Sequence, residues 1–270
     1  MIKNLISSFS AAIIALAMAS SAQADTKDPL GANVQVSLMQ GWTMANGNYM
    51  AALRVDLAPG WHTYWRAPGA AGIPPVFRWM GNSTAIQAKY HWPVPTIYSQ
   101  NGMRFLGYED SLILPIEFTP SASGDIVVSG AVTLGVCDDV CMPFTAQLDA
   151  HFSAQAAAQN KQVIQAQLNA KPKRITSAIC DAKPIADGIK LSATVNIPSL
   201  GATEMAVIEH PDPSIWVSEA TSMRKGRTVT MSSDMVPTNA APFLLNRSQV
   251  RLTVIGEDGK AYETLGCKAS

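Results

Sequence analysis

Short segments in which apolar and polar positions alternate, or which are apolar almost throughout, follow one another along most of the chain. They are separated by Gly, Pro, Asp and Asn, and this pattern is typical of β-strands joined by turns. In the first half we predict strands at 33–38, 49–57, 111–118 and 125–134, and in the second half at 188–197, 204–209, 228–232 and 249–255. Short strands at this spacing favour antiparallel β-sandwiches.

The pattern changes between the two halves. From Ser153 to Ala170 the chain is rich in Ala and Gln, and Lys171-Pro172 follows. Strong helix formers ended by proline predict a helix, which we interpret as a linker over residues 153–172. The sequence therefore predicts an all-β protein with two domains, residues 25–152 and 173–270, joined by a short helical linker.

The N-terminus has the features of a secretory signal. Lys3 is followed by an apolar stretch from Ala11 to Ala19, and Ala22-Gln23-Ala24 precedes the acidic Asp25. Such a segment is too short for a membrane anchor and is removed on export. No later stretch is apolar enough to cross a bilayer. We therefore expect residues 1–24 to be a signal peptide and the mature chain to lie in an oxidising compartment, most simply the bacterial periplasm, without membrane insertion.

The charge balance excludes one class of partner. Without Lys3 the chain has 19 basic residues, one fewer than the 20 Lys and Arg of the whole sequence, against 20 acidic ones. A nearly neutral chain without a basic run gives no indication of nucleic-acid binding.

Cys137 and Cys141 are close in sequence. Along an extended strand their Cα atoms would be about 13 Å apart, whereas a disulfide needs about 5 to 6 Å. Asp138 and Asp139 form turns readily, so a tight hairpin that brings the two sulfurs together is the natural prediction. A bridge that closes so small a loop stabilises the fold by only about 2 kcal/mol, which favours a chemical role. The two carboxylates should raise the pKa of the thiols and so tune their reactivity.

Cys180 and Cys267 lie near the two ends of the second predicted domain. Four cysteines allow three pairings, and the sequence alone does not exclude crossed ones. Locality favours Cys137 with Cys141 and Cys180 with Cys267. A Cys180–Cys267 bridge would enclose most of the domain and stabilise it by about 4 to 5 kcal/mol, as expected of a structural disulfide.

Several segments resemble, in the same order, the periplasmic N-terminal domain of DsbD-type thiol:disulfide interchange proteins, and in particular the soluble part of the ScsB-like branch, which is linked to copper tolerance. They are the run from Leu57 to Arg66, Gly72-Ile73-Pro74-Pro75, the run from Gly107 to Pro115, and Gly135-Val136-Cys137 to Cys141-Met142-Pro143. The resemblance covers residues 25–152. It implies an immunoglobulin-like redox domain, and by similarity with the ScsB-like branch a second immunoglobulin-like domain in residues 173–270.

The resemblance also implies a function, a protein-disulfide oxidoreductase without a cofactor. Cys137 and Cys141 would be catalytic, with Cys141 forming the mixed disulfide. The electron donor would be a DsbD-, ScsB- or CcdA-like membrane protein or a thioredoxin-like protein, and the acceptor a periplasmic thioredoxin-fold protein. Two departures matter: the cysteines of DsbD are further apart, and its membrane and thioredoxin-like domains have no counterpart here. We therefore expect the donor to be a separate protein.

Family members shield the bridge with a cap loop, and the matching segment runs from Tyr98 to Phe105. Gly102 would supply flexibility, and Phe105 or Met103 an apolar lid. An ordinary surface loop with Phe105 packed into the core is the alternative.

A non-catalytic module is the second class of function. In it both disulfides are structural, and the domain binds a protein or copper(I). A Cys-x₃-Cys pair could bind a soft metal, with Met142, Met103 or His62 completing the site. Because an exported dithiol is more often oxidised than metallated, we predict no metal site.

Overall fold

The computed structural model describes residues 31–70, 72–81, 84–100, 102–120, 124–153, 160–239 and 241–270. The predicted signal peptide, residues 1–24, lies outside these ranges. So does the segment 154–159 of the predicted helical linker.

The N-terminal half is a sandwich of two antiparallel sheets. Its strands, in chain order, are β1 (Val34–Thr43), β2 (Tyr49–Leu57), β3 (His62–Tyr64), β4 (Val76–Gly81), β5 (Thr84–Ala85), β6 (Gln87–Tyr90), β7 (Thr96–Gln100), β8 (Met103–Glu109), β9 (Ser111–Thr119), β10 (Ile126–Cys137) and β11 (Cys141–Phe152). One sheet has the order β1-β2-β9-β6. The other has the order β5-β4-β10-β3-β8-β7, and β11 pairs with β10.

Strand β2 is buried on both faces of the first sheet. Leu53 and Val55 are fully buried in the core between the two sheets. The alternate residues Met50 and Ala52 point to the other face, where they are buried against Ile164. The strand is therefore apolar at nearly every position because both of its faces are covered.

Ile164 belongs to helix α1 (Lys161–Asn169). The helix predicted between the two halves is thus present, and it packs on the outer face of the first sheet through this fully buried side chain. Asn160, directly before the helix, also donates a hydrogen bond from Nδ2 to the carbonyl oxygen of Gln40. The helical segment is therefore part of the N-terminal sandwich's packing.

The C-terminal half is a second sandwich. Its strands are β12 (Lys173–Arg174), β13 (Ala178–Ile185), β14 (Gly188–Asn196), β15 (Glu204–Glu209), β16 (Ile215–Val217), β17 (Thr221–Lys225), β18 (Thr228–Pro237), β19 (Arg251–Gly256), β20 (Ala261–Leu265) and β21 (Lys268–Ala269), with a 3₁₀ turn at Arg247–Gln249. The two sheets have the orders β12-β20-β19-β15 and β16-β18-β14-β13-β21, and β17 pairs with β18. They enclose a separate core around Leu191, Val195 and Leu252. The prediction of an all-β, immunoglobulin-like architecture is confirmed.

The two halves share an interface. Met205, Ile255 and Ala261 from the C-terminal half are buried with the core residues of the N-terminal half. Beside them, Arg66 donates two hydrogen bonds of 2.9 Å to Glu209, from Nε and from Nη2. Its Nη2 also donates to Glu263 at 2.5 Å. The Arg66 side chain retains only 17% of its exposure, so this ion pair is largely removed from water.

The described ranges contain no helix that combines the length and the apolar character required to cross a bilayer.

Candidate functional site

Cys137 and Cys141 lie at the closed end of the β10–β11 hairpin. They are directly opposite each other in the antiparallel register, with Cα atoms 4.2 Å apart, and their sulfurs form a disulfide. Asp138, Asp139 and Val140 form the turn between them and are exposed. The predicted hairpin is therefore observed, and the turn carries its two carboxylates into solvent.

The two cysteines differ sharply in burial. Cys137 has no exposed surface, whereas Cys141 is exposed. The difference follows from the sheet, because β10 lies between β11 and β3 at this point while β11 is an edge strand. A thiolate that approaches from solvent thus meets Cys141 first.

Tyr64 of β3 contacts both sulfurs. Its hydroxyl oxygen lies 2.9 Å from Cys137 Sγ and 3.0 Å from Cys141 Sγ. Disulfide sulfur has no proton to give, so the hydroxyl is the donor. Burial raises the pKa of Tyr64 above its ordinary value, and the hydroxyl therefore keeps its proton over the physiological range.

Gly135 makes room for this arrangement. A Cβ atom at position 135 would lie 2.7 Å from Tyr64 Cδ2 and 2.6 Å from Ile73 Cβ. Any other residue there would push the tyrosine ring away from the bridge. Thr63, whose side chain points to the opposite face of the strand, donates a hydrogen bond to the Gly135 carbonyl at 2.9 Å and fixes β3 against β10.

The segment predicted as a cap loop is the β7–β8 hairpin, and its two strands pair from Gln100 opposite Met103 to Thr96 opposite Gly107. Gly102 adopts φ of +79° in the turn, a conformation that glycine accepts without strain. Phe105 is 4% exposed and is buried together with Tyr64 and Cys137, with Tyr98 packed against them.

Met103 lies at the tip of this hairpin and is 56% exposed. Phe105, not Met103, is therefore the apolar side chain that is buried in one cluster with Cys137. The two predictions for Phe105, a lid on the bridge and a core residue, do not exclude each other. The small core in which Phe105 packs also contains Cys137.

His62 completes the cluster. It lies opposite Cys137 in the β3–β10 register, so both side chains project from the same face of the sheet. Its ring stacks on Phe105 at 4.6 Å between centroids and meets Tyr64 edge-on at 5.5 Å. The side chain is 5% exposed, and no described residue forms a hydrogen bond with its buried Nε2.

The chain next to Tyr64 contacts the C-terminal half. Arg66, two residues after the tyrosine, is held by Glu209 and Glu263. Ile73 packs against the cluster of Tyr64 and Cys137. The second sandwich therefore holds the chain close to the tyrosine.

The described residues include no group of three or more His, Cys, Asp or Glu side chains arranged to hold a metal ion. Met142 follows Cys141 in β11, and successive side chains of a strand point to opposite faces. It therefore cannot approach the sulfurs as a ligand. This geometry does not favour Met142 as a ligand in the copper(I) alternative.

Two members of the site, Tyr64 and His62, were not predicted from the sequence to contact the bridge. Tyr64 appeared only inside a family motif, and His62 was considered only as a metal ligand. Because they alternate with Thr63 on a strand, these two side chains share a face. No local pattern indicates that β3 pairs with β10, since Tyr64 and Cys137 are 73 residues apart in the sequence.

A disulfide at the end of a hairpin, with Cys137 buried beside Tyr64 and Phe105 and with Cys141 exposed, has the geometry expected of a thiol–disulfide exchange site. A family model described as the N-terminal part of thiol:disulfide interchange protein DsbD matches residues 30–153. This segment is a DsbD-type N-terminal domain, as the resemblance predicted.

Among solved structures, the N-terminal periplasmic domain of ScsB from Proteus mirabilis is similar to this chain. The identity is 20%, the TM-score is 0.62, and the match covers 87% of this chain and 93% of that one. This likeness extends the shared fold beyond the DsbD-type segment into the C-terminal sandwich. No curated protein sequence matches the chain.

Proposed function

We propose that the protein is a periplasmic thiol–disulfide exchange protein that relays electrons through Cys137 and Cys141. The observation that carries the proposal is the unequal burial of the bridge, with Cys137 enclosed and Cys141 exposed. This asymmetry favours one direction of attack and therefore one mixed disulfide.

Reduction of the bridge would proceed in two steps. A donor thiolate attacks Cys141 Sγ, the Cys137–Cys141 bond breaks, and Cys137 leaves as a thiolate that takes up a proton. The second donor thiolate then attacks its partner sulfur in the mixed disulfide and releases Cys141, so that two electrons enter the dithiol. The reverse sequence passes them to an acceptor disulfide.

The surroundings of the bridge suit the first step. A good leaving group is a stabilised thiolate, and the Tyr64 hydroxyl is positioned to donate a hydrogen bond to Cys137. Phe105 restricts approach on the buried side, so a partner has to dock at Cys141. Asp138 and Asp139 place negative charge beside the exposed sulfur and should keep Cys141 from being a strong nucleophile when it is reduced.

The partners follow from the family. We expect the donor to be a DsbD-, ScsB- or CcdA-like membrane protein or a thioredoxin-like protein, and the acceptor to be a thioredoxin-fold protein. The comparison protein is described as periplasmic, which supports the same location for this chain. The link to copper tolerance stays a prediction that rests on the resemblance to the ScsB-like branch.

A graded reduction tests the proposal. The Cys180–Cys267 bridge spans 87 residues and joins Cα atoms 5.7 Å apart, and it should resist reduction because Cys180 is fully buried. Mild reductant followed by alkylation and mass mapping should label Cys137 and Cys141 first. The reduced protein should then pass its electrons to an oxidised thioredoxin-fold protein, whereas a variant with both Cys137→Ala and Cys141→Ala should not. Equal labelling of all four cysteines, or equal transfer by the double variant, would contradict the proposal.

A further inference from the structure

Cys137 raises a problem of proton transfer. The residue has no exposed surface, so water does not reach its sulfur directly. In each cycle, however, this sulfur must leave as a thiolate and be protonated, or lose a proton before it attacks. A buried sulfur needs a buried group that exchanges protons with it.

Tyr64 is not that group. Its raised pKa keeps the hydroxyl protonated, so it donates a hydrogen bond to the thiolate without accepting a proton. The carboxylates of Asp138 and Asp139 lie in the exposed turn, next to Cys141 and the solvent.

His62 has the required properties. It lies directly opposite Cys137 in register, and side chains in such pairs have Cβ atoms about 4.5 to 5.5 Å apart. Its Nε2 is buried and has no hydrogen-bonding partner among the described residues. A buried polar atom without a partner is costly to the fold, and a role in proton transfer gives a reason to keep one here.

We propose that His62 is the proton-transfer residue for Cys137. This inference rests on the proposed exchange function and extends it by one residue. When the reduced protein acts on an acceptor disulfide, the Cys141 thiolate forms the mixed disulfide and the acceptor's second sulfur leaves. The Cys137 thiol then gives its proton to the imidazole, and the resulting thiolate attacks Cys141 Sγ. The bond between Cys141 and the acceptor breaks, the acceptor sulfur takes a proton from solvent, and the imidazolium releases its own proton.

The electrostatic surroundings agree with this role. The pKa of His62 is below its ordinary value because burial disfavours the charged ring, an effect that the negative charge of Asp138 partly offsets. The ring is therefore neutral at pH 7 and is able to accept a proton. Titratable groups surround His62 on each strand that packs against it among the described residues. They are Asp138 in the β10–β11 turn, Cys137 on β10, Glu109 opposite His62 on β8, Tyr98 on β7 and Tyr64 on β3.

The two steps can be separated with dithiobisnitrobenzoate, an aromatic disulfide whose released thiolate is coloured. Mixed with the reduced protein in a stopped-flow instrument, it should release one thiolate as Cys141 reacts and a second as Cys137 closes the bridge. In His62→Gln the first phase should be nearly unchanged at pH 7. The second should be about tenfold slower, and it should accelerate with pH as hydroxide takes over the proton.

Three variants control the experiment. His62→Phe keeps the aromatic packing against Phe105 and lacks a base, so it should show the same slow second phase as His62→Gln. His151→Gln changes an exposed histidine that pairs with Asp125 and should behave as the wild type. The double variant Cys180→Ala with Cys267→Ala, which lacks the second bridge and leaves no extra free thiol, should retain both phases.

Each outcome has one meaning. A second phase of wild-type rate and pH dependence in both His62 variants, with normal exchange by the wild type, would overturn the role of His62 and leave the proposed function intact. A slow second phase in His62→Gln with a normal one in His62→Phe would show that packing, not proton transfer, is responsible, and would also overturn it. A wild-type protein that releases no second thiolate would overturn both proposals.

Discussion

The Tyr64 hydroxyl oxygen lies 2.9 Å from Cys137 Sγ and 3.0 Å from Cys141 Sγ. One buried donor therefore contacts both ends of the bond that breaks. Hydrogen bonds to charged groups contribute about 1.5 to 3 kcal/mol, and this one becomes charge-assisted only when Cys137 leaves as a thiolate.

Tyr64→Phe should therefore slow reduction of the bridge by about tenfold, since about 1.4 kcal/mol in a barrier corresponds to that factor. The fold should be retained because only the hydroxyl is lost. The measurement is the rate of reduction by dithiothreitol. Tyr98→Phe is the matched control, because its hydroxyl forms a hydrogen bond with Thr96, and it should reduce at the wild-type rate.

Phe105→Ala should open the buried side of the bridge to small thiols. We expect the rate with glutathione to rise severalfold without a comparable gain with a protein donor, because a docked protein already reaches Cys141. Removing a buried Phe costs about 3 to 5 kcal/mol, so Phe105→Leu provides a milder second variant. Met103→Ala, at the exposed tip of the same hairpin, should leave both rates unchanged. An unaltered glutathione rate in both Phe105 variants would show that Phe105 only packs.

Neutralising the turn should activate the reduced dithiol. Asp138→Asn and Asp139→Asn each remove a negative charge beside Cys141, so the pKa of this thiol should fall and its rate of alkylation at pH 7 should rise. Only Asp138 raises the pKa of His62, so Asp138→Asn alone should lower that pKa further. Thiolate absorbance and the imidazole resonances of His62, each followed against pH, measure the two effects. If the thiol pKa is the same in both variants and the wild type, the tuning role is wrong.

Arg66→Ala should destabilise the protein by about 3 kcal/mol, because it leaves Glu209 without its partner in a largely buried interface, while Glu263 keeps its ion pair with Arg251. Denaturant unfolding measures this loss. Arg54→Ala, which removes an ion pair with Asp56 whose side chains are 48% and 39% exposed, should have little effect. Equal losses in the two variants would mean that the Arg66 ion pair contributes nothing special to the contact between the sandwiches.

The sequence predicted the parts of this molecule that local patterns determine. Asp138 and Asp139 between two cysteines require a turn, and segments that alternate or are apolar throughout predicted the long strands, such as the apolar β2. The helix composition predicted α1, but not that Ile164 would cover Met50 and Ala52. That contact depends on the apolar outer face of β2. The apolar residues of this strand do not indicate which segment of the chain covers that face.

The rest depends on pairing between distant segments. Strand β3 has only three residues and meets both β10 and β8, so neither its length nor its pattern indicates its neighbours. His62 and Tyr64 reach Cys137 only through this pairing. In the same way Arg66 meets Glu209 across 143 positions, and no local signal links them.

The most direct test of the account is the identity of the sulfur that a partner attacks. Cys137→Ala and Cys141→Ala, each with Cys180 and Cys267 intact, are incubated with an oxidised thioredoxin-fold protein, and the adducts are mapped by mass spectrometry. We predict a mixed disulfide at Cys141 in Cys137→Ala and almost none in Cys141→Ala, because the remaining Cys137 is enclosed. Adducts of equal yield in the two variants, or adducts at Cys180 or Cys267, would contradict it.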